Sequence, residues 1–141
     1  MAGRVMLMRL RELARRRVSF AFETTLASRS FAPWIAGLVR SGYLFHLVFL
    51  WLSSVDVAVE RVANRVRLGG HGVPVDVIRR RYHAGHRHFL TLYRPLATTW
   101  WVYDNSLSPA PRLVASGEGG TASRVEEPTA WDRFLGSGSA G

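Results

Sequence analysis

The sequence contains no cysteine and no lysine. The first absence excludes disulfides and thiolate metal sites, and it fits a reducing compartment. The second makes all 19 basic residues arginine, so no lysine ammonium can contact a phosphate in this chain. Acidic residues are scarce as well, 10 against those 19, which leaves a formal net charge of +9. Arginine presents a planar fork that grips phosphate or carboxylate at two points, and it stays charged at any working pH. An anionic partner is therefore expected (nucleotide, phosphosugar or nucleic acid), against the ordinary reading of a solvated basic surface. Long apolar runs are missing too. The most apolar stretch, Tyr43 to Leu52, is about half the roughly 20 residues that span a bilayer, and it includes His46. The opening "MAGRVMLMRLRELARRR" carries charge throughout and has no cleavage-site pattern, unlike a signal peptide. These absences predict a soluble cytoplasmic protein with no membrane partner.

What is present suits one globular domain with a modest core: 141 residues, 48% hydrophobic and 21% charged. Apolar spacing predicts helices over Val5–Arg16, Phe31–Arg40, Val55–Arg67 and from Pro74 to about Leu92, closed by Pro95. Pro33 is tolerated in a first turn, Gly42 follows a helix end, and Ser54 is placed to cap. Ser19–Phe22 reads as a buried strand. Leu44–Leu52, "LFHLVFLWL", reads as a strand covered on both faces. Thr99–Tyr103 is a third strand, and Arg112–Ala115 a short edge strand. Ser106–Pro111 is a turn-rich loop. Residues 1–116 thus form the domain, 117–127 a flexible linker, and 128–141 a short helix with a disordered "GSGSAG" tail. Strands alternating with helices predict an α/β layered domain with a largely parallel sheet.

Ligands bind at the carboxyl ends of such strands. The three strand ends are polar: Glu23-Thr24-Thr25, Ser53-Ser54 and Asp104-Asn105. Glu23 is a candidate base or hydroxyl-orienting group, or else a helix cap or ion-pair partner. Thr24 and Thr25 suit substrate or phosphate contacts equally as well as local backbone bonding. Arg79, Arg80 and Arg81 lie about 100° apart on a helix, so at most one or two face a ligand. Arg87 lies two turns beyond Arg80 and makes a clamp with it conceivable. His83 and His86 share a face from which His88 departs, and no metal site is expected from them. His71, in the Gly-Gly-His-Gly loop, is placed to donate to an anion. No G-x-x-x-x-G-K-[ST] loop and no G-x-S-x-G elbow occurs. The aromatics of "TTWWVY" fit a core strand rather than a base-stacking surface, which argues against nucleic acid.

Three stretches carry a resemblance in order and spacing: "SFAFETTLASRSF" with "GY" twelve residues on, "ERVANRVRLGGHGVPVDVIRRRYHAG", and "LYRPLATTWWVYDNS". Together they resemble the zeta-toxin-like small-molecule kinases, including proteins described as predicted P-loop ATPases. The resemblance spans about Gly3 to Val114. It implies a parallel-sheet, three-layer P-loop kinase fold, with ATP and Mg2+ as cofactors. The reaction implied is phosphoryl transfer to a hydroxyl of a small molecule or nucleotide sugar, UDP-N-acetylglucosamine in the best-known members, and an antitoxin protein is an implied partner. It puts Glu23, Thr24 and Thr25 on the substrate side. Arg81, Arg80 and Arg87 would reach the phosphates from a lid hinged at the glycines, and His71, Asp104 and Asn105 would lie by the nucleotide. The family's phosphate-binding loop and lysine have no counterpart here, and the resemblance places them before Met1, so an N-terminally truncated fold that is incomplete or inactive alone is expected. A non-catalytic binding module of the same fold and an arginine-rich nucleic-acid-binding protein stay open beside it.

Overall fold

The computed structural model describes residues 2–106 and 109–139. Helix α1 (Ala2–Arg15) and helix α2 (Phe31–Arg40) come first. Strand β1 (His46–Trp51) leads into α3 (Val55–Arg67). Ser54 caps α3, its side chain accepting the Val57 N–H at 3.3 Å. Gly69, at φ +92°, ends α3, and the Gly70 N–H closes the last turn on the Arg65 carbonyl at 2.8 Å. Helix α4 (Val75–His88) starts directly after Pro74. It continues as a π turn, Phe89–Tyr93, and a 3-10 turn, Arg94–Leu96, where Pro95 stops it. Strands β2 (Thr99–Asp104), β3 (Arg112–Glu118) and β4 (Thr121–Val125) precede α5 (Pro128–Ser139).

The four strands form one sheet in the order β1-β2-β3-β4. β1 and β2 run parallel, with His46 opposite Thr99 and Trp51 opposite Asp104. β2 and β3 are antiparallel, as are β3 and β4. Helix α4, its π turn and α5 cover one face of this sheet. Phe89, Trp100, Val102, Val114 and Phe134 are fully buried there. Trp131 stacks on Trp100 at 5.6 Å and on Phe134 at 5.4 Å, and His86 stacks on Phe134 at 4.2 Å. Phe89, Val102, Val114 and Phe134 each stabilise the fold by about 1.5–3 kcal/mol through burial. Among the described residues, no helix is long and apolar enough to cross a membrane.

The parallel-sheet, three-layer P-loop kinase-like fold is not what forms. The domain is a small α/β unit whose four-stranded sheet is mixed, with one parallel pair. Residues 117–127, expected as a linker, contain the turn and second strand of the β3–β4 hairpin. Gly119 takes φ +52° in the turn, and Gly117 serves close approach. A Cβ on Gly117 would lie 2.0 Å from the Thr121 carbonyl oxygen and 2.6 Å from the Trp100 ring. Ser19–Phe22 is not a strand. Its aromatics pack locally, Phe20 against Trp34 at 6.0 Å and Phe22 against Phe31 at 5.2 Å. Left-handed backbone at Arg17 and Leu26 turns the chain on either side. β1 is covered on one face alone: Val48 is 56% and Leu50 55% exposed. Arg112–Ala115 lies in a strand paired on both sides, not at an edge. The tail is helical through Ser139, while Ala140 and Gly141 fall outside the described residues, as do 107–108 of the turn-rich loop.

Candidate functional site

A cleft of about 1190 Å3 opens beside the sheet edge. It is bordered by the segment around residues 19–26, by α2, by β1 along its length, and by α3 and α4. From α4 the contributors are Ile78, Arg81, Tyr82, Gly85 and His86. Their spacing is that of one helical face. Arg81 is on that face, while Arg80 and Arg87 are exposed on others and do not line the cleft. The clamp of Arg80 with Arg87 is therefore turned away from it. Arg79 leaves the cleft too and pairs with Asp56 at 3.2 Å. From α3 come Ala58, Val62 and Arg65, again one face.

Glu23, Thr24 and Thr25 line the same cleft, on a loop held firmly against α4. Gly85 allows the contact: a Cβ there would lie 2.3 Å from the Thr25 carbonyl oxygen. His88 reaches the Leu26 carbonyl through Nδ1 at 2.8 Å, and the Tyr93 hydroxyl donates to the Ser28 carbonyl. The threonine hydroxyls bond the loop's own backbone, Thr24 accepting from the Leu26 N–H at 3.3 Å and Thr25 from the Ala27 N–H at 3.4 Å. Both can still turn an O–H outward. Two of the three nearby histidines thus have structural partners, since His86 Nε2 meets the Phe134 carbonyl at 2.6 Å. Among the described residues no group of three or more His, Asp or Glu side chains converges as a metal site.

Asp104 and Asn105 lie at the carboxyl ends of the parallel pair but do not line the cleft. They build a turn. The Asp104 carboxylate accepts the Ser106 N–H at 2.8 Å, and the Asn105 N–H bonds the Trp51 carbonyl at 2.8 Å. The Arg61 guanidinium donates to the Asn105 carbonyl. His71 is exposed on its loop, whose cleft contributor is Val73. The cleft therefore gathers Arg81, Glu23, Thr24 and Thr25 from the expected set, and leaves out Arg80, Arg87, His71, Asp104 and Asn105.

No family model matches the chain, and no solved structure does. The chain is similar to a Haemophilus influenzae protein described as uncharacterized. The two are 28% identical over 65 residues, which is 46% of each chain. The match spans just under half of that relative's length.

Two cleft arginines were not singled out from sequence. Arg17 is tied down, donating to the Ser41 carbonyl at 2.8 Å and lying 5.4 Å from the Tyr43 ring centre. Arg65 continues the α3 stripe that Val62 belongs to, and that periodicity was the available signal. Neither the Arg65 nor the Arg81 guanidinium has an ion-pair or hydrogen-bond partner among the described residues. Among the described residues Glu23 is the one acid that lines the cleft. Tyr82 closes its floor, donating to the Leu52 carbonyl at 2.6 Å, and burial raises its pKa above the ordinary phenol value. Chemically, the cleft offers cationic forks and hydroxyls beside a broad apolar wall.

Proposed function

We propose that this cleft binds a phosphorylated small molecule, a nucleotide or nucleotide sugar, and that the chain contributes to phosphoryl transfer onto a hydroxyl. The observation that carries the reading is the meeting of Arg65 and Arg81, whose guanidinium groups are unpaired among the described residues, with Glu23, Thr24 and Thr25 in one cleft. Guanidinium forks recognise phosphate oxygens by paired hydrogen bonds. In phosphoryl transfer they also offset charge on the transferring group. Glu23 is placed to meet a substrate hydroxyl. The apolar wall is suited to a base or sugar face.

The residues present fit the phosphates of ATP through arginine. They fit less well the loop that ordinarily wraps them, since the sequence has no Gly-rich P-loop and no lysine. Mg2+ is usually held by one or two carboxylates together with substrate phosphates, and Glu23, the sole carboxylate among the described cleft residues, would then hold the metal instead of meeting the hydroxyl. Transfer at a useful rate then requires a phosphate-wrapping loop that this sequence does not contain, and the chain by itself is expected to bind without turning ATP over.

Calorimetric titration tests the reading. ATP and UDP-N-acetylglucosamine should bind at fixed salt, and adenosine and uridine should not. Equal binding of nucleoside and nucleotide would contradict it. Preference for single-stranded nucleic acid, with affinity falling steeply as salt rises, would replace it with a nucleic-acid surface.

A further inference from the structure

β1 is one edge of the sheet, and its outer row of backbone N–H and C=O groups has no strand partner among the described residues. The cleft follows this rim. Consecutive residues from Gly42 to Leu52 line it, including neighbours that point to opposite faces. A cavity above one face of a strand would touch every second residue. The opening therefore runs along the edge of β1 itself. Ser19 to Glu23 also line the cleft and make no backbone–backbone hydrogen bond among the described residues.

Exposed edges are ordinarily blunted by charge, bulges or cover. The far edge, β4, is blunted: it carries Arg124, paired with Glu126, and its register with β3 breaks at Ser116/Gly117. β1 has no acid and no arginine, and it presents Val48 and Leu50 to solvent.

We propose that β1 is a docking edge for an extended peptide segment of a partner protein, apolar and β-branched at its centre and acidic at its flanks, which adds to the sheet as a fifth strand. Strand addition supplies affinity through main-chain hydrogen bonds and selectivity through alternate side chains. The acidity follows from the cleft's charge, with Arg17, Arg65 and Arg81 against Glu23 alone. A second copy of this chain is a poor occupant, because it would bring a further +9 to the same rim. The peptide would share the cleft and its arginines with the nucleotide, and the strand-edge amides, which nucleotide binding does not use, tell the two apart.

The test pans a phage-displayed library of random peptides about eight residues long, a strand with its flanks, against the full chain. Enriched sequences should alternate β-branched with polar residues and carry Asp or Glu. Methylating the backbone nitrogens on one side of the best peptide should weaken it about tenfold or more, since several hydrogen bonds go at once. Val48→Lys, at an exposed position, should weaken it similarly while thermal unfolding stays unchanged. Absence of enrichment, or tolerance of N-methylation, would overturn the proposal. So would hydrogen exchange showing the outward amides of β1 already protected in the free chain. A dimer in sedimentation that Val48→Lys dissociates would assign the edge to a second copy and overturn it equally.

Discussion

At Gly85 an added methyl carbon would meet the Thr25 carbonyl oxygen at 2.3 Å. Alanine is ordinarily favoured over glycine within a helix by about 1 kcal/mol. Here the overlap is with backbone, which cannot swing aside. Gly85→Ala should therefore destabilise the protein, by about 1–3 kcal/mol as for other overpacked sites, read as a lower midpoint in urea. The same substitution should weaken ligand binding, because the Glu23–Thr25 loop must move. His86 makes the second residue-scale prediction. Burial holds its pKa below the ordinary histidine value, with a smaller contribution from His83. As pH falls below about 6.5 the unfolded chain takes up a proton that the folded chain resists. Stability should be full above that pH and decline below it until the folded pKa is passed. His86→Gln keeps a donor toward the Phe134 carbonyl and removes the titration, so it should flatten that decline. An unchanged acid limb would mean that other groups set it.

Among the elements, the helices were readable because their apolar residues recur at helical spacing and their ends carry ordinary stop and start residues. Ser54 is the clearest case, and Ser54→Ala should cost about 1 kcal/mol, seen as a lower Tm. What could not be read was the hairpin of β3 and β4. The stretch from Gly117 to Gly120 has the composition of a linker, yet Gly117 is required by the Trp100 ring and the Thr121 carbonyl and Gly119 by its φ of +52°, which are tertiary facts. Ser19–Phe22 misleads in the opposite direction. It has the composition of a strand, yet its aromatics are used on α2 and Tyr43 instead of in a sheet. With that strand absent and the hairpin present, a sheet expected to be parallel becomes mixed.

For the molecule as a whole, the arginine charge was plain in the sequence, but its direction was not. Arg79, Arg80 and Arg81 are equal as letters, and the packing of Ile78 and Gly85 decides that Arg81 alone of the three lines the cleft. Arg65 was hidden for the same reason, as one more arginine beside an apolar stripe. Asp104 and Asn105 were correctly placed at a strand's carboxyl end, but they build a turn there, through an Asp104 carboxylate oxygen and the Asn105 backbone, and do not line the cleft. Position therefore matters more than charge at the anion site. The most direct measurement compares the ATP affinity of the natural chain with that of Arg81→Ala and Arg80→Ala at one salt concentration. A hydrogen bond to a charged group contributes about 1.5–3 kcal/mol, so Arg81→Ala should weaken binding about tenfold or more while Arg80→Ala leaves it nearly unchanged. Equal losses from the two, or no loss from Arg81→Ala, would mean that the cleft is not the anion site.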